Sequence, residues 1–171
     1  DSYALNYDET ANVDDGSCEY SDFIGTIGPA GGFIFFDKGV STNGWRFLEV
    51  APANWYGNNE PRGAWGCYGN IISPSTSIGS GLQNTLNMNE CSQIAQTVLN
   101  TNINGYDDWF LPSIEELNEI YSRLHQNNIG NFNIDDYYWS STDYSEIGAY
   151  FIDFNDGSLG DNNKNDATEY F

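Results

Sequence analysis

Basic residues are the first scarcity. Lys and Arg number 5 against 25 Asp and Glu, a net charge of −20 over 171 residues. Nucleic-acid backbones and anionic membrane surfaces are gripped by clustered Lys and Arg, so neither is an expected partner. Histidine is limited to His125. There is no G-x-S-x-G nucleophile elbow, no glycine-rich phosphate loop leading into a Lys, and no His/Cys spacing suited to zinc. These absences argue for a non-enzymatic role. No apolar run approaches the roughly 20 residues of a membrane-spanning helix, so no membrane insertion is expected. Cysteine is scarce and odd in number: Cys18, Cys67 and Cys91. At least one of them is free or pairs outside this chain.

What is present is aromatic and polar. Aromatics make up 16% and hydrophobic residues 39%, which is enough for a packed core rather than a disordered acidic tail. Residues 1–21 stand apart as a short acidic, loop-rich, Cys-containing module with no helical or strand periodicity, ending in Asp14-Asp15-Gly16-Ser17-Cys18. Residues 22–171 form the main domain. Phe33-Ile34-Phe35-Phe36 and Trp45 to Val50, joined through Thr42-Asn43-Gly44, predict a hairpin. Residues 52–81 are rich in Pro, Gly, Asn and Ser, and a loop of that length tends to be functional or packed by its own side chains.

Two helices are expected next. Cys91, Ile94, Ala95, Val98 and Leu99 recur at helical spacing, in a helix beginning near Leu82 or Thr85 and ending at Asn100. The second starts at Pro112-Ser113, where Ser113 and Glu116 have capping-box spacing, and stops at Asn127-Asn128 and Gly130. Strands follow at Tyr137–Thr142, Ala149–Phe154 and toward Phe171, with Asp156-Gly157 as a tight turn. Strands, long loop, helices, then strands predict an α+β fold with two helices and a small antiparallel sheet.

Three constellations carry chemistry. Cys67 and Cys91 flank the Gly/Ser-rich segment. They read either as a disulfide closing about 25 residues, worth ~3 kcal/mol, or as a redox pair. Oxygen-bearing side chains at Asp8, Asn12, Asp14 and Asp15 suit calcium, the plausible cofactor. A second, weaker cluster at Asp153, Asn155 and Asp156 also fits plain turn chemistry. Finally, Tyr, Ser, Asn and Asp gather between Thr142 and Phe171, a composition that suits adaptable recognition surfaces and solvated loops alike.

Several motifs in order point further. Gly28-Pro29-Ala30-Gly31-Gly32, Leu48-Glu49-Val50-Ala51-Pro52, Trp65-Gly66-Cys67-Tyr68-Gly69, Gly105-Tyr106-Asp107-Asp108-Trp109-Phe110-Leu111-Pro112-Ser113, Tyr138-Trp139-Ser140-Ser141-Thr142 and Asn162-Asn163-Lys164-Asn165 span nearly all of residues 24–165. Together they resemble a bacterial and phage domain family of C-type-lectin-like fold, related to the C-terminal domain of a collagen-like adhesin and to retroelement-diversified variable proteins. The resemblance implies that Trp109 and Trp139 are core anchors and that residues 142–168 form an exposed binding face. The ligand-binding residues it suggests are Asp143, Tyr144, Glu146, Tyr150, Ser158, Asp161, Asn162, Asn163 and Asn165, with Trp55 and Tyr56 as neighbours. It further implies an extracellular, cell-surface or virion setting. The expected partner is a glycan or protein receptor, or neighbouring subunits of a fibre, pilus or capsid.

Overall fold

The structure is a computed structural model that describes residues 10, 23–57, 60–133 and 136–171. The expected acidic module, with Asp8, Asn12, Asp14 and Asp15, lies outside the described residues save for Thr10. The fold is α+β. β1 (Phe33–Thr42) and β2 (Trp45–Val50) form an antiparallel hairpin. The turn between them is Asn43-Gly44, with φ of 53° and 85°. Positive φ at both central residues is what a tight two-residue hairpin turn needs, and Asn and Gly supply it at least cost. α1 (Gly81–Met88), α2 (Gln93–Leu99) and α3 (Ile114–Glu119) follow. β3 (Tyr137–Asp143), β4 (Gly148–Asp153) and β5 (Leu159–Asn163) make a second antiparallel sheet in that order.

The first helix departs from expectation. Its periodicity predicts one helix to Asn100, but the chain breaks between Met88 and Gln93 and gives two. Ser92 is extended there and its Oγ accepts from Ala95 N at 3.3 Å, so it caps a new helix instead of continuing the old one. Cys91 sits in the break rather than in the helical stripe, bonded to Cys67. Ile94, Ala95 and Val98 keep their buried positions. The second expected helix starts where predicted. Ser113 Oγ accepts from Glu116 N, and Glu116 Oε2 accepts from Ser113 N at 2.7 Å. After Glu119 the helix loosens and tightens through Ile120–Asn127, then ends at Asn128 with φ of 58°.

The β3–β4–β5 sheet is covered on both faces. Tyr138 and Ile152 are partners in the ladder and join Phe35, Leu117, Leu124 and Phe154 in one cluster. The next pair, Trp139 and Phe151, turns the other way, toward Trp65, Met88, Ile94 and Ala95. Alternating side chains on a pleated strand produce this split. The hydroxyls of Ser140, Ser141 and Thr142 are buried on β3, yet each finds a carbonyl: Tyr150 O at 3.0 Å, Pro112 O at 3.1 Å and Ser75 O at 2.9 Å. Buried polar groups are tolerated when paired in this way. The last expected strand is shorter than predicted. β5 ends at Asn163, and Tyr170 alone bridges to Tyr138 and Arg62.

Candidate functional site

The β3–β4 turn and the loop after Cys67 come together at one end of the second sheet. Ser145 Oγ accepts from Gly148 N at 3.0 Å, and Tyr144 N donates to Gly148 O at 3.0 Å, which closes the turn. Gly69 N then donates to Glu146 O at 2.8 Å and ties the loop to it. Tyr68, Ile71, Tyr144 and Ile147 are all exposed on these two segments, beside exposed Glu146. Tyr144 stands edge-on to Tyr150, centroids 5.2 Å apart, and Tyr150 faces Asp161 across the ladder. Asn163, opposite Gly148, completes the exposed rim.

Beneath this face lies a buried ion pair. Lys164 is fully buried and its Nζ contacts Asp143, donates to Asn70 O at 2.6 Å and lies 4.6 Å from the Trp65 ring centroid. The Asp143 carboxylate also accepts from Ile72 N at 2.7 Å and from Ser73 N. One pair therefore fastens the end of β5, the end of β3 and the 70–73 loop. The Cys67–Cys91 disulfide forms and fixes the same loop from its other side to the α1–α2 break. Of the two sequence readings of this cysteine pair, the staple is the one the structure supports.

The expected ligand residues divide into groups. Tyr144, Glu146, Tyr150, Asp161 and Asn163 are brought together at the turn. Asp143 is a correction: its side chain is 1% exposed and occupied by Lys164 and two amides, so it does not face solvent. Thr142 is likewise inside. Asn162 is half-buried and its amide is held by Glu169 and Asp166. Asn165 is exposed, and its N donates to Asn163 Oδ1 at 2.9 Å. Ser158 belongs to the turn at the far end of β5, five residues and about 17 Å from Asn163 at strand rise. Trp55 packs on Tyr56 and Phe171, at 5.3 and 6.3 Å, as a separate group.

Sequence reasoning missed Tyr68 and Ile71 as members of this face, because they lie more than 70 positions from Tyr144 and nothing local links them. It also placed Lys164 among solvated polar residues. The only signal was that it is one of so few cations in an Asn-rich stretch. The implied anchor Trp139 is buried and donates to Gly63 O at 3.0 Å, whereas Trp109 is only half-buried. Asp153 and Asp156 accept from the amides of Asn155 and Ser158, each at 2.8 Å, which is turn chemistry. The Ser158 hydrogen bond lowers the Asp156 pKa. Among the described residues, no group of three His, Cys, Asp or Glu is placed to hold a metal ion.

The comparisons with known proteins complete the site's setting. The chain matches none of the curated proteins. A protein-family model does match it, over residues 55–171, which include α1 to α3, the whole second sheet and the face just described. By that match over more than half its length, the chain belongs to the Lcl C-terminal domain family.

Proposed function

We propose that this chain is a non-enzymatic recognition module of C-type-lectin-like fold, working outside the cell or on a virion. It binds a glycan or protein receptor through the β3–β4 turn and the 68–71 loop. The carrying observation is the exposed set Tyr68, Ile71, Tyr144 and Ile147 on loops held from below by the Asp143–Lys164 pair and the disulfide. Rigid tyrosines supply contact area at low entropic cost, and a disulfide suits an oxidising compartment. Family membership supports the reading without naming a ligand.

A glycan array and a receptor pull-down, each with and without calcium, test the proposal. The Tyr144→Ala and Tyr68→Ala variants should each lose about tenfold or more in affinity, as central aromatic contacts do. Binding unchanged in both variants would overturn the site. Two exposed isoleucines on the same face also suit an assembly role, with a neighbouring subunit seated there. Concentration-dependent oligomers abolished by Ile147→Asp would favour that second reading.

A further inference from the structure

The recognition face leaves a sizeable hollow elsewhere in the molecule unused. Between the β1–β2 hairpin and residues 98–112 lies a cavity of about 630 Å³. That is the size of sites that enclose small ligands. Its wall is aromatic, with Trp45, Trp55, Trp109, Phe110, Tyr138 and Phe171 among the lining residues.

The charges around it are unequal. Glu49, Glu60 and Asp108 line the cavity against a single cation, Arg46. Arg46 is held by both oxygens of Asp37, at 2.7 and 2.9 Å. Glu49 accepts from the amides of Ala30 and Gly32, at 3.2 and 2.6 Å. Glu60 is placed differently. It is half-buried beside Tyr138, whose hydroxyl donates to it. No Lys, Arg or His among the described residues pairs with it. Burial raises its pKa, the mark of a carboxylate short of positive charge. Phe171 N donates to Pro61 O at 3.3 Å, which sets the Phe171 and Trp55 rings beside this end of the cavity.

We propose that this cavity binds an organic cation, an ammonium group carried on an aromatic or aliphatic body, with the ammonium at Glu60 and the body among Trp55, Trp109 and Phe171. An aromatic face attracts a cation through its quadrupole, and more strongly when the site is desolvated. A carboxylate within that wall adds a charge-assisted hydrogen bond. Anionic ligands meet three carboxylates and an arginine already neutralised. One wall residue shows the same chemistry internally: Lys38 Nζ stands 3.6 Å from the Trp45 ring centroid.

Four of the five tryptophans (Trp45, Trp55, Trp109 and Trp139) line the cavity, so intrinsic fluorescence reports on it. The full chain is titrated with benzylammonium and, separately, with neutral benzyl alcohol. A saturable change is expected with the cation, at least tenfold tighter than with the alcohol. Glu60→Gln should weaken cation binding at least tenfold, and Trp55→Ala should weaken it as well, while Tyr144→Ala leaves it unchanged. Thermal melts establish that each variant is folded, and Trp55→Ala decides the matter if Glu60→Gln is not. No saturable response to the cation, equal affinity for both probes, or folded variants with unchanged affinity would overturn the proposal.

Discussion

Two regions beside the β3–β5 sheet are built in opposite ways. Around Trp65, at the Lys164 end of the sheet, polar groups are driven inside and paired: Lys164 on Asp143, and the Trp65 indole on Ser140 O at 2.7 Å. A disulfide closes that side. Between the hairpin and residues 98–112, large aromatics from both core clusters, Trp139 among them, leave a hollow of about 630 Å³. A buried ion pair seldom adds net stability over a hydrophobic replacement, but it fixes geometry. The tight side is therefore the one that holds loops in register, and the exposed tyrosines sit on it. The open side has room for a guest.

The comparison can be broken in order of expected effect. The largest belongs to Asp143→Ala, which strands the Lys164 ammonium in the interior. A loss of about 3–5 kcal/mol is expected in urea unfolding, and a loss under about 1 kcal/mol would mean that water reaches the pair. Next comes the paired change Cys67→Ser with Cys91→Ser. It should cost about 3 kcal/mol through the freed unfolded chain, and an unchanged urea midpoint would show that the tight side does not need its staple. Ser113→Ala removes a helix cap beneath β3 and should cost about 1 kcal/mol; denaturant titration reads it directly.

The smallest effect probes the open side through pH. Burial raises the Glu60 pKa above its ordinary 4.5. A carboxyl with a raised folded pKa adds stability below its unfolded pKa and loses it as pH rises through the folded value. Glu60→Gln removes that dependence while keeping an acceptor for Tyr138. The variant should therefore lack a small decline in stability that the wild type shows from about pH 4.5 upward. Identical pH profiles would place Glu60 in solvent. Asp37 has the opposite sign. Arg46 lowers its pKa, so its contribution is present above the unfolded value and is lost as pH falls through the folded one.

Much of the fold was legible because its signals are local. The Asn43-Gly44 turn, the Ser113–Glu116 box and the alternating Tyr138, Trp139 pair each lie within a few residues. The α1–α2 break was not, since Cys91 and Leu99 keep helical spacing across it and only Ser92's cap and a bond to distant Cys67 interrupt it. The site was half legible. Tyr144, Glu146 and Asn163 are suggested by the resemblance together with the polar, Tyr-bearing composition, but Asp143 reads as one more surface acid until Lys164, 21 residues on, is seen against it. The Glu60–Tyr138 contact spans 78 positions and leaves no trace in local pattern.

The central claim is that the tight side exists to present the 68–71 and 144–147 loops to a receptor. It is tested most directly by Tyr68→Ala/Tyr144→Ala, measured at once for binding on a glycan array or receptor surface and for stability. The predicted result is lost binding with stability within about 0.5 kcal/mol of wild type, as for exposed substitutions. Full binding by the folded double variant would contradict it.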